Sequence, residues 1–70
     1  MVSLYKTYNT REEENKIYSV VELRGLSDDS KPKVLENNVN VDNGSVFIEM
    51  DTQVIYMYDI TGSGSWVTPE

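Results

Sequence analysis

Across residues 39–59, apolar and polar residues alternate in short runs interrupted by two turn sequences, a pattern that constrains the fold more than any other part of the chain. Val39 and Val41 alternate with Asn40 and Asp42, and Asn43-Gly44 follows, the pair preferred at the centre of a type I′ hairpin turn. Residues 45–50 (SVFIEM) then read as a strand, Asp51-Thr52-Gln53 as a three-residue turn, and residues 54–59 (VIYMYD) as the returning strand. This register sets Met50 opposite Val54, Ile48 opposite Tyr56 and Val46 opposite Tyr58, so that these apolar side chains share one face. The other face carries Phe47, Ile55 and Met57 beside Ser45, Glu49 and Asp59. This second face is only partly apolar, and such a two-sided sheet suggests burial on both sides, by the N-terminal half or by a neighbouring subunit. Gln53 stands at the turn position that requires positive φ, where Gly is preferred.

The remaining segments extend the same reading. With nine Val, four Ile, five Thr, five Tyr and no Ala, the chain favours pleated, half-buried surfaces over helices. Residues 17–24 (IYSVVELR) form an alternating strand closed by Gly25, with Ile17, Ser19, Val21 and Leu23 on one face. Tyr18, Val20, Glu22 and Arg24 occupy the other. Residues 25–38 hold Ser27, Asp28, Asp29, Ser30 and Pro32 and read as a long irregular loop. Residues 1–9 suit a short strand or an extended arm. Thr10-Arg11-Glu12-Glu13 has the form of a capping box, which predicts a helix of one or two turns, the plainer alternative being a solvated charge run. Residues 60–65 form a Gly/Ser loop, and Trp66-Val67-Thr68 pairs back onto residues 54–59 as a last strand. The expectation is a single domain spanning residues 1–70. It is mainly β, a small antiparallel β-meander of about four to five strands with one short N-terminal helix and a long irregular loop.

Composition excludes several kinds of chemistry. Without Cys there is no disulfide and no thiolate nucleophile, and without His the commonest general base and metal ligand is missing. Ser63 and Ser65 lack an activating imidazole, and Asp42-Asn43-Gly44 lacks the spacing and the distal Glu of a calcium loop. Glu49, Asp51 and Asp59 are the carboxylates that the hairpin could gather, with Glu49 and Asp59 on one face, but solvated edge residues are the simpler reading. No enzyme activity, cofactor or metal is expected. A net charge of −6 and scattered basic residues argue against nucleic acid, and the Tyr and Trp rings suit a core or a protein interface better than a base-stacking platform. No apolar run is long enough to span a membrane and no signal peptide is recognisable at the N-terminus, so a soluble protein is expected. A chain of 70 residues without disulfide or metal buries little surface, and oligomerisation is the remaining way to stabilise it.

The run Asn43-Gly44-Ser45-Val46-Phe47-Ile48-Glu49-Met50-Asp51-Thr52, then Ile55-Tyr56-Met57-Tyr58-Asp59 and later Trp66, resembles small structural proteins of tailed bacteriophages and prophages of Gram-positive hosts. In these a pattern NGSxFxExDT…YxYD…W recurs as a C-terminal β-meander. Val20-Val21-Glu22-Leu23-Arg24-Gly25-Leu26-Ser27 with Lys31-Pro32 is similar to the same group, and Gln53 departs from its usual Gly. The resemblance implies a virion component, made in the host cytoplasm, at the head or the head–tail region. Such a protein acts by binding other phage structural proteins and further copies of itself. It brings no catalytic residues. Two other roles follow from the same features: a tail-fibre or receptor-binding module, or a phage-encoded acidic inhibitor of a host protein. The expected contact residues are Leu4, Tyr5 and Tyr8 on the N-terminal arm, Val39 and Val41 on an exposed edge, and the aromatics Tyr56, Tyr58 and Trp66.

Overall fold

The computed structural model describes residues 2–62 and 64–68. Its strands are β1 (Ser3–Glu13), β2 (Lys16–Gly25), β3 (Val39–Val41), β4 (Val46–Glu49), β5 (Ile55–Asp59) and β6 (Ser65–Val67). They form one six-stranded sheet in the order β1-β2-β4-β5-β6, with β3 also paired to β2. The chain is therefore mainly β, as its composition implies. The sheet is mixed rather than a plain antiparallel meander: β3 and β4 both run parallel to β2, and the other pairs are antiparallel.

The expected N-terminal helix is a strand. β1 runs through Thr10 to Glu13 and returns as β2 after a turn of Glu14 and Asn15, whose φ values of 52° and 66° are those of a type I′ hairpin turn. The Thr10 hydroxyl lies 3.0 Å from that of Ser19 across the ladder, instead of capping a helix. A local capping signal is worth about 1 kcal/mol, whereas the strand pairs along its whole length with the β-branched run of β2. Residues 3–8 are part of the same strand, with register shifts between Leu4 and Lys6 and between Thr7 and Asn9, so the expected arm pairs within its own chain.

Asn43-Gly44 does not make a hairpin. β3 and β4 lie one after the other along the same edge of β2, and residues 42–45 form a jog between them. Gly44 supplies the positive φ of 89° that the jog needs. The backbone N–H of Val21, left without a carbonyl at the jog, donates to Ser45 Oγ at 3.0 Å. The far edge of β3 is not exposed either: Leu35 N–H donates to the Val39 carbonyl at 2.6 Å and Val41 N–H to that of Lys33 at 3.0 Å. β2 thus supplies a continuous edge to two short parallel strands, and the long loop closes over the second side of β3.

β4 and β5 do form a hairpin, but one residue out of the expected register: Val46 pairs with Met57, Phe47 with Tyr56 and Ile48 with Ile55. The connection is closed by Glu49 N–H to the Val54 carbonyl at 2.9 Å, and Gln53 takes φ 63° within it. The slip re-sorts the two faces. Phe47, beside Leu23 in the parallel ladder, turns inward with Tyr56 and Tyr58. Val46, Ile48, Ile55 and Met57 turn outward. β6 completes the sheet as expected, setting Trp66 opposite Tyr58.

The core sits on the inner face. Val21, Leu23, Val41, Phe47 and Tyr58 are buried there, with Leu35, Ile60 and Trp66 packed against them. Trp66 meets Phe47 and Tyr58 edge-on, at centroid distances of 6.0 and 5.0 Å. Gly25 leaves room for the Phe47 ring, which would lie 2.8 Å from a Cβ at that position. Residues 26–38, the irregular loop, cross this face as a strap.

Candidate interaction surface

Polar contacts along its length hold the strap. Ser27 donates from its backbone N–H and its hydroxyl to Asp51, at 3.0 and 2.6 Å. Lys31 reaches Glu49 at 2.8 Å, passing over the rings of Phe47 and Tyr56 at 4.9 and 4.4 Å. The Trp66 indole N–H donates to the Pro32 carbonyl at 3.0 Å. Leu35 is fastened to β3. Each contact joins a polar group of the strap to one at the rim of the inner face, so the strap seals the core with few apolar residues of its own.

The carboxylates that could have formed a reactive cluster are instead structural acceptors. Lys31 and then the Thr52 hydroxyl, which donates at 2.6 Å, hold the Glu49 carboxyl below its ordinary range. Ser27 lowers Asp51, and the Thr61 hydroxyl and N–H lower Asp59. Glu49 points inward and Asp59, one residue beyond the inward Tyr58, points outward, so the two do not share a face as expected. Among the described residues no group of three or more His, Cys, Asp or Glu side chains is placed to hold a metal ion. No helix among them is long and apolar enough to cross a membrane.

A cleft of about 630 Å³ opens between the inner face of the β1–β2 hairpin and the strap. Leu4, Ile17, Val34 and Leu35 give it apolar walls, Thr7 and Thr10 add hydroxyls, and Glu36 is the titratable residue in its lining.

The expected contact residues separate into two groups. Leu4, Tyr5 and Tyr8 are exposed on β1. Leu4 faces the cleft, while Tyr5 and Tyr8 lie on the outer face: the Arg24 guanidinium stacks 3.6 Å from the Tyr5 ring, and the Tyr8 hydroxyl donates to Glu22 at 2.9 Å. The other residues belong to the covered side. Val41 and Tyr58 are core residues, a correction of their expected place at a contact surface. Val39, Tyr56 and Trp66 are half-buried by β2, Lys31 and Pro32 respectively. Burial of β3 on both edges and the shifted register of β5 account for the difference.

The outer face carries what the expected set omitted. Val46, Met57 and Val67 form one row across β4, β5 and β6, with Ile48 and Ile55 in the next, and on β2 Glu22 lies beside Val46 and Arg24 beside Ile48. Ile55, Met57 and Val67 remain 47%, 44% and 44% exposed among the described residues. The signal was present in the alternation Ile55-x-Met57, but it could be read only with the register that Phe47 imposes. No known protein family, curated protein or solved structure matches the chain.

Proposed function

We propose that the chain is a structural component of a tailed-phage virion, at the head or the head–tail region, and that it acts by protein–protein assembly. The observation that carries the assembly role is the contrast between the two sides of one sheet. A strap of the chain itself covers the inner side, and the outer side keeps a contiguous apolar patch in water. Apolar patches rimmed by polar groups mark sites of protein contact, and here Tyr5, Tyr8, Glu22 and Arg24 form such a rim. The placement in a phage particle rests on the residue pattern from Asn43 to Trp66. Mass spectrometry of purified, nuclease-treated particles tests it: the chain is expected in stoichiometric amount with other virion proteins. Its presence in infected cytoplasm but absence from the particle would overturn the structural role in favour of a host-directed one.

A further inference from the structure

The bare outer face raises a question of charge as well as of burial. At a net charge of −6, two copies of this chain repel each other unless their contact avoids the excess acid. That excess lies away from the outer face. There Lys6, Arg11, Lys16 and Arg24 are matched in number by Glu13, Glu22, Asp42 and Asp59: Arg24 bonds Glu22 at 2.9 Å, Arg11 bonds Asp42 at 2.9 Å and also Glu13, Lys6 and Lys16 stand opposite Glu22 and Glu13 in the ladder, and Asp59 lies at the end of β5. On the strap side Lys31 and Lys33 stand against Asp28, Asp29, Glu36, Glu49 and Asp51. Residues 1–25, which supply most of the charged rim on β1 and β2, contain four basic and four acidic residues. The outer face is thus an apolar centre with a neutral rim, the combination on which a second acidic copy can rest without opposing like charge.

Size points the same way. The molecule measures 37 × 24 × 19 Å, and its broad side is bounded by the two longer dimensions. A partner of the same outline could cover roughly 800 Å² of it, the area per side of a standard stable interface.

We propose that the outer face is the contact of a two-fold symmetric dimer of this chain. Two sheets pack about 10 Å apart, with Val46, Ile48, Ile55, Met57 and Val67 of each copy against the same residues of the other. A self-complementary patch on a two-fold axis is the commonest form of homodimer contact. The dimer supplies the layer that 70 residues cannot provide twice over: the strap covers one face and the second copy covers the other. This names one partner for the assembly role proposed above and rests on that role.

Sedimentation velocity and light scattering of the full chain at micromolar to submillimolar concentration test it, with circular dichroism to check the fold. The expected result is twice the chain mass. Met57→Glu enters the contact twice by symmetry and should raise the dissociation constant by about 100-fold or more, with the β signal retained. Val34→Glu, equally exposed but on the strap side, should leave the mass unchanged. If Met57→Glu unfolds, Val67→Glu on the edge strand makes the same test with less disturbance. A monomeric native chain, a dimer unmoved by the outer-face variants, or a dimer lost equally with Val34→Glu would each overturn the proposal. A monomer in solution leaves the virion role to be decided by mass spectrometry of particles, and absence from particles leaves the dimer standing, so the two failures are distinct.

Discussion

The two faces of the sheet are built from neighbouring residues of the same strands, yet they meet different surroundings. On β4, Phe47 and Glu49 turn inward and are buried, while Val46 and Ile48 turn outward and remain half-covered. The inner face is closed by a strap fastened through polar groups at its rim. The outer face has ion pairs and stacked rings along β1 and β2, and mainly apolar side chains along β4, β5 and β6, with Asp59 and Ser65 at the end of the row. The strap therefore covers its face at small cost in apolar residues, and among the described residues Ile55, Met57 and Val67 on the other face stay exposed. The core that stabilises the chain lies on one side of the sheet, and the proposed contact lies on the other.

That division can be broken most forcefully at Phe47, which is fully buried between Leu23 and Trp66. Phe47→Ala should cost about 3–5 kcal/mol, most of what a domain of this size has, and urea denaturation should show a chain largely unfolded in buffer. Ser45→Ala is the next largest: it strands the buried Val21 N–H at the jog and should cost about 1–3 kcal/mol by the same measurement.

Acid should loosen the strap. The Glu49, Asp51 and Asp42 carboxyls are held below their ordinary values by Lys31, by Ser27 and by Arg11 respectively. A carboxyl with a lowered folded-state pKa stabilises the fold above its ordinary value, and the stabilisation is lost as pH falls through about 4 toward the folded value. Thermal melts should therefore decline below that pH. With no histidine in the chain, its side chains should contribute no change between about pH 6 and 8.

The hairpin that replaced the expected helix can be tested by the sign of one substitution. Asn15 holds φ 66°, so Asn15→Ala should destabilise by about 1 kcal/mol; in a helix the same change would stabilise. The smallest effect belongs to the outer face. Met57→Ala, measured by dilute denaturation where copies do not associate, should cost less than about 1 kcal/mol. A large loss there would mean that the outer face, too, serves the stability of the single chain.

Much of the fold was legible because alternation survives any arrangement of strands. The two faces of β2, the irregular segment ending near residue 38, the β4–β5 hairpin and the pairing of Trp66 with β5 all follow from period-two patterning and turn residues. The misread segments share one cause: a local signal that suits more than one structure. Thr10 and Glu13 fit a helix start, but they also fit a hairpin strand once Glu14 and Asn15 can turn the chain. Asn43-Gly44 offers positive φ to a hairpin or to a jog, and only the long free edge of β2 selects the jog. The contact surface moved for the same reason, because a one-residue slip between β4 and β5 exchanges which side chains meet the core.

By itself the sequence determined a mainly β chain, the alternating faces of β2 and a fold with neither disulfide nor histidine chemistry to draw on. These depend on residue type and spacing, which no partner strand alters. Tertiary structure alone decided that β3 and β4 run parallel to β2, that residues 26–38 lie over the inner face, and that Ile55, Met57 and Val67 are left exposed with Val46 and Ile48 half-covered beside them. Those outcomes depend on which edges and rings compete for the same partner across the chain, and that competition is resolved only when the whole sheet has formed.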